Sequence, residues 1–174
     1  MMQPTHGSRR ILRPVRDWFI WLTLLLAVFL DLIPLGRLPG FPDWVALTLT
    51  FWCIRESFKV GMGTAFVLGI VMDVSSGSVM GQHSLAYVLL AFTASGLSRR
   101  FLQFPLMQQA LQILPLLLAT QVVMLITRMS VGSEFPGVEY FLDSFTAALL
   151  WYPLTYLLLL PQYQPVEKDE NRPI

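Results

Sequence analysis

Six apolar runs, separated by short breaks of proline, glycine or charge, dominate this sequence and leave few ways for it to fold. They cover residues 18–35, 43–54, 60–74, 84–97, 105–127 and 140–160. The first would extend roughly 27 Å at 1.5 Å per residue, against a hydrocarbon core of about 30 Å, so it predicts a membrane-spanning helix. The second and third are shorter, and their ends must take in flanking residues or sit where the bundle thins the bilayer. Composition agrees: 55% of residues are apolar and 13% are charged, about half the charged share of a soluble domain. With a mean hydropathy of +0.59, the predicted class is an all-α, polytopic membrane bundle of six helices.

The cations set its orientation. With the N-terminus in the cytoplasm, the inner side receives Arg9, Arg10, Arg13, Arg16, Arg55, Lys59, Arg99, Arg100, Lys168 and Arg172, and the outer side only Arg37 and Arg128. Over short loops this is the positive-inside signature, and it survives only for an even number of spans. Both termini are therefore expected in the cytoplasm: residues 1–17 as a basic leader, 18–160 as the transmembrane domain and 161–174 as a disordered tail. Ser8-Arg9-Arg10-Ile11-Leu12 looks like the start of a twin-arginine export peptide. No small-residue cleavage site follows, so the first run reads as an uncleaved helix. Trp18, Trp21, Trp52 and Phe101 near inner ends, and Trp44, Tyr140 and Phe141 near outer ones, read as interfacial belts. A net charge of +1 recommends no nucleic-acid partner, and the single Cys53 excludes a disulfide framework or a cysteine zinc cage.

The acidic residues lean the other way. Asp31, Asp43, Asp73 and Asp143 lie at outer ends of runs, with Glu134 and Glu139 in the last outer loop. A helix cap or a place at the water line accounts for Asp31, Asp43 and Asp143. Asp73 belongs to a longer pattern. Gly61, Ala65, Gly69 and Asp73 recur every fourth residue and share one helix face, three small residues of the kind that let membrane helices approach closely, ending in a carboxylate. The segment from Ser75 to His83 follows, with Gly77 and Gly81 to turn the backbone and its serines, Gln82 and His83 to hydrogen-bond.

Read together, Gly63-Thr64-Ala65-Phe66-Val67-Leu68-Gly69, then Asp73-Val74, Ser76-Gly77-Ser78 and Gly81-Gln82-His83-Ser84-Leu85-Ala86, with Phe51-Trp52 and Arg55 upstream, resemble the rod shape-determining protein MreD family of bacterial cell-wall elongation. The likeness is specific over roughly residues 44–97; elsewhere it rests on length, basic start and number of spans. Family members often carry a proline soon after the arginine matching Arg55, where this chain has Ser57, so the shape of the inner loop is not carried over. The resemblance implies a non-enzymatic scaffold of the bacterial inner membrane that supports peptidoglycan synthesis. Its implied partners are the bitopic protein MreC, the actin-like MreB, and the shape-complex glycosyltransferase and transpeptidase. It also implies a bundle like the substrate-binding components of energy-coupling vitamin transporters.

The expected docking surface is an outer-facing groove. Gly61, Ala65 and Gly69 would allow close approach, Asp73 and Gln82 would hydrogen-bond the partner, Gly77 and Gly81 would shape the turn, and His83 would serve as a polar cap or interface residue beside them. Arg55 and Lys59 would meet lipid headgroups or a cytoplasmic partner. Catalysis would need His83 against Asp73 beside a nucleophile, and the two stand ten residues apart across a Gly-Ser loop. No His-x-x-x-His pair and no glycine-rich phosphate loop points to a metal or cofactor. The alternative class is a small-molecule-binding membrane component or transporter, suggested by Gln108, Gln112, Pro115, Thr120 and Gln121 in the fifth run. Glutamines in a bilayer also serve as glue between helices, and no inverted halves are evident.

Overall fold

The computed structural model describes residues 15–33 and 40–162. The expectations for most of the basic leader, for Arg37 and for the tail from residue 163 lie outside the described residues. Within them the chain forms α1 (Asp17–Leu32), α2 (Trp44–Arg55), α3 (Met62–Ser76), α4 (Gln82–Gln103), α5 (Leu106–Ser130) and α6 (Leu142–Leu159). Short 3-10 turns, Val138–Phe141 and Leu160–Gln162, flank α6, and no strand occurs among the described residues. Local chemistry sets several ends. Asp43 caps α2 by accepting the N–H of Ala46, Pro105 precedes α5, and α3 stops where Gly77 takes a left-handed conformation. Helix α4 runs past Arg99 and Arg100, since long cationic side chains can reach water without ending a helix.

The helices alternate in direction and surround α2. Helices α1, α4 and α6 all pack on it, α3 packs chiefly on α4, and α5 lies between α4 and α6. Every residue from Val45 to Ile54 is buried, so α2 has no outward face. Trp52 is accordingly at the centre, not in an interfacial belt: its ring meets Phe51 edge-on at 4.9 Å and its Nε1 donates to Thr23 Oγ1 at 2.9 Å. Phe101 is buried as well.

Two segments of 25 residues, Leu106–Ser130 and Val138–Gln162, are long and apolar enough to cross a membrane, and Trp44–Arg55 and Met62–Ser76 are shorter apolar helices. The outer surface is apolar along several helices at once, through Trp21, Leu25 and Phe29 on α1, Phe66 and Val67 on α3, and Phe145 and Leu149 on α6. Soluble monomers rarely expose apolar patches beyond a few hundred Å², and a lipid-facing surface has no such limit.

Candidate functional site at the acidic end

The ends of α1, α3 and α5 and the starts of α2, α4 and α6 meet at one end of the bundle, and the carboxylates gather there. Asp73, only 1% exposed, organises the turn between α3 and α4. A helix start leaves N–H groups without acceptors, and the N-cap of α4 is Gly81, which has no side chain to supply one. Asp73 supplies it from the neighbouring helix. Its Oδ1 accepts from the His83 N–H at 2.8 Å, the His83 Nδ1–H at 2.8 Å and the Ser78 hydroxyl at 3.1 Å. Its Oδ2 accepts from the Gly81 N–H at 2.8 Å, the Ser84 hydroxyl at 3.1 Å and the Ser84 N–H at 3.4 Å. Gly77 and Gly81, at φ +62° and +93°, provide the left-handed backbone that brings the chain back onto this carboxylate.

The stripe of small residues explains how α3 and α4 come so close. A Cβ added at Gly69 would lie 2.5 Å from the backbone nitrogen of Ser84 and 2.8 Å from the carbonyl carbon of His83. Ala65 and Gly69 are buried, and Gly61 caps α3 at the opposite end. The face expected to be an open groove is therefore covered by α4 of the same chain, because the close approach it permits is used internally. Asp73 has its hydrogen bonds within the turn, and Gln82 is buried. What stays at the surface is the turn: Gly77 is exposed, and Gly81 and His83 are half-buried.

The other three carboxylates also tie segments together. Asp43 accepts, besides the N–H of Ala46 at 2.7 Å, the hydroxyl of Tyr87 at 2.9 Å, linking α2 to α4. Asp31, at the end of α1, accepts from the N–H groups of Trp44 at 3.1 Å and Val45 at 2.8 Å and so caps a helix other than its own. Asp143 accepts from the N–H of Gly40 at 2.7 Å. A cavity of about 190 Å³ lies among Asp31, Asp43, Tyr87, His83, Tyr140 and Asp143. A second, of about 370 Å³, adjoins it across Ser76 and His83 and is bordered by Arg128.

Gln121 is glue: its Nε2 donates to the Tyr140 carbonyl at 3.0 Å and its Oε1 accepts from Ser144 Oγ at 2.6 Å, joining α5 to the start of α6. Gln108 is exposed, and the other buried glutamine of α5 is Gln109, which donates to the Phe104 carbonyl. The links from Asp31 to α2, from Asp43 to Tyr87 and from Gln121 to Ser144 leave no local signature that spacing alone reveals.

Asp73 and His83 do meet, and Ser78 is not placed beside them as a nucleophile would be. Ser78 Oγ lies 3.2 Å from the same Nδ1 that faces Asp73, whereas a nucleophile activated by histidine must sit at the other ring nitrogen. No cluster of three or more His, Cys, Asp or Glu side chains able to hold a metal occurs among the described residues.

At the opposite end Lys59 Nζ lies 2.8 Å from Asp17 and donates to the Val15 carbonyl at 3.1 Å, fastening the α2–α3 connection to the start of α1. The hydrogen bond to Asp17 holds the ammonium above the ordinary lysine range. The Arg55 guanidinium lies 5.3 Å over the Phe51 ring.

The sequence model of the rod shape-determining protein MreD family matches residues 12–160. The rod shape-determining protein MreD of Haemophilus influenzae is 27% identical over 153 residues, covering 84% of this chain and 92% of that protein. No solved structure matches the chain. The matched region takes in all six helices and the whole acidic end, and the chain belongs to the rod shape-determining protein MreD family.

Proposed function

We propose that this chain crosses the bacterial inner membrane six times, with both termini in the cytoplasm and the acidic end outside, and acts as a non-enzymatic scaffold for MreC in support of peptidoglycan synthesis. The family brings with it a role in determining rod shape. The observation that carries the scaffold reading is the saturation of Asp73: six hydrogen bonds hold one turn in one shape, and the presented surface is preorganised. We put the MreC segment on the outward side of that turn, where Val74, Gly77 and Met80 are exposed. Gly61, Ala65, Gly69 and Asp73 act behind it by holding α3 on α4, and Gly81, Gln82 and His83 border it. Arg55 and the basic end face the cytoplasm, the lipid headgroups and MreB, and the glycosyltransferase and transpeptidase join through the same complex.

The test is co-purification of MreC from native membranes with wild type and Met80→Arg. Met80 is 72% exposed, so the substitution leaves the fold alone. Retained MreC should fall roughly tenfold, the effect of disrupting about 1.4 kcal/mol of contact, while the yield of folded protein stays constant. Unchanged retention would remove the turn from the interface. The competing reading, a small-molecule-binding component or transporter, draws on the 190 Å³ cavity. Against transport, the middle of the bundle is filled by Leu47, Leu49, Phe51 and Trp52 of α2. A compound that co-purifies and raises the melting temperature would favour the competitor.

A further inference from the structure

The larger cavity at the acidic end differs in character from its neighbour. It measures about 370 Å³, and its walls include Ser76, Ser78, Gln82, His83, Arg128 and Ser133, with no carboxylate among the lining residues. Arg128 stands in the last turn of α5, where a cation is ordinarily explained by the helix dipole or by capping of the final carbonyls. Backbone groups already make those caps: the Arg128 carbonyl accepts from the N–H groups of Val131 and Ser133, and that of Met129 from Gly132. The guanidinium, half-buried and carrying five N–H donors, makes no hydrogen bond or ion pair among the described residues.

Gln82 repeats the anomaly independently. It is only 7% exposed, it lines the same cavity, and its side-chain amide has no hydrogen-bond partner among the described residues. The hydroxyl of Ser133 is likewise unengaged. By contrast Ser76 and Ser78 donate to the Met72 carbonyl and to Asp73, and His83 Nδ1 is turned to Asp73. A guanidinium, an amide and a hydroxyl therefore front one open cavity with no protein acceptor among the described residues, an arrangement that an anion entering the cavity would complete. All three can donate, and one is cationic. A carboxylate's two oxygens lie in one plane, whereas a phosphate's oxygens point to the corners of a tetrahedron and can meet a guanidinium fork on one side and the amide and hydroxyl on others, with up to two negative charges against the cation.

We propose that this cavity binds a phosphate-bearing ligand, with Arg128 as its cation and Gln82 and Ser133 as neutral donors. The ligand is a lipid headgroup phosphate or a free phosphate, two sources with one chemistry. This site does not depend on the scaffold reading, since MreC retention and phosphate binding are measured separately.

The experiment is a melting series on the full chain in neutral detergent, titrated in parallel with phosphatidylglycerol, with inorganic phosphate, and with diacylglycerol as the phosphate-free control. Wild type is compared with Arg128→Gln, Arg128→Lys and Ser133→Ala. Phosphatidylglycerol or phosphate should raise the wild-type melting temperature, and diacylglycerol should not. In Arg128→Gln the half-saturating concentration should rise at least about tenfold, the loss expected for one charge-assisted contact. Arg128→Lys should fall between, and Ser133→Ala, in the exposed loop, should weaken binding several-fold. A response to the lipid alone identifies a headgroup site, and a response to inorganic phosphate a site for the free anion. No response to either phosphate source, or equal half-saturation in wild type and both Arg128→Gln and Ser133→Ala, overturns the proposal.

Discussion

The two ends of the bundle are fastened by different means. At the acidic end Asp31, Asp43, Asp73 and Asp143 are fully or half buried, and each receives hydrogen bonds from a segment beyond its own helix. At the basic end Lys59 does the tying, from an exposed position, to an exposed Asp17 and one backbone carbonyl. The difference follows from where water is. A carboxylate shielded from solvent that satisfies several N–H groups is costly to remove, because each stranded donor loses its only acceptor. An exposed ion pair gives up little, since water replaces either partner. Rigidity therefore concentrates at the end read as the partner-facing one.

The sharpest way to break this comparison is at Asp73. Asp73→Ala strands the N–H groups of Gly81 and His83 and two hydroxyls, at about 1 to 3 kcal/mol for each group left without an acceptor, so the total loss should exceed about 3 kcal/mol. Thermal unfolding in detergent reads it, and Asp73→Asn, which keeps one acceptor oxygen, should fall between. Gly69→Ala comes next. Its methyl group meets backbone, which cannot swing aside, so we expect a loss at the upper end of about 1 to 3 kcal/mol. Gly63→Ala is the control: nothing lies within 4 Å of a Cβ there, and its melting temperature should match wild type or exceed it.

Gln121→Leu is milder, removing two bonds worth about 0.6 kcal/mol each in membrane bundles, for a small but measurable fall in melting temperature. Lys59→Ala should be the smallest, with no resolvable change. A lysine whose folded pKa is raised contributes wherever it is charged and loses that contribution only as pH rises through the raised value. Wild type and Lys59→Ala should therefore melt in parallel across neutral pH, and the small offset between them should shrink only in alkali, as Lys59 loses its charge. A Lys59→Ala defect as large as that of Asp73→Ala would erase the distinction between the ends.

Much of the fold was legible in the apolar runs, because six stretches of apolar residues form six helices whatever they pack against. Capping was legible where it is local, as at Asp43. The burial of Trp52 was not: nothing in residues 43–54 says that α2 is surrounded on all sides, since a lipid-facing helix and a central one are equally apolar. The stripe from Gly61 to Asp73 announced a close helix approach, and Gly69 makes one, but a repeat of small residues cannot say whether the approaching helix belongs to the same chain. Here it is α4. Asp73 and His83 were within reach of each other on spacing, yet the convergence of six donors on that carboxylate depends on how the turn folds back, which no pairwise spacing encodes.

The reading of a partner-facing acidic end rests on which side of the membrane that end occupies, and position 80 answers it. Met80→Cys places a thiol on the exposed turn, while the native Cys53 is buried and marks the background. Treated with a membrane-impermeant maleimide, intact spheroplasts should label position 80 as fully as lysed ones do. Labelling that appears only after lysis would put the turn in the cytoplasm and contradict the account.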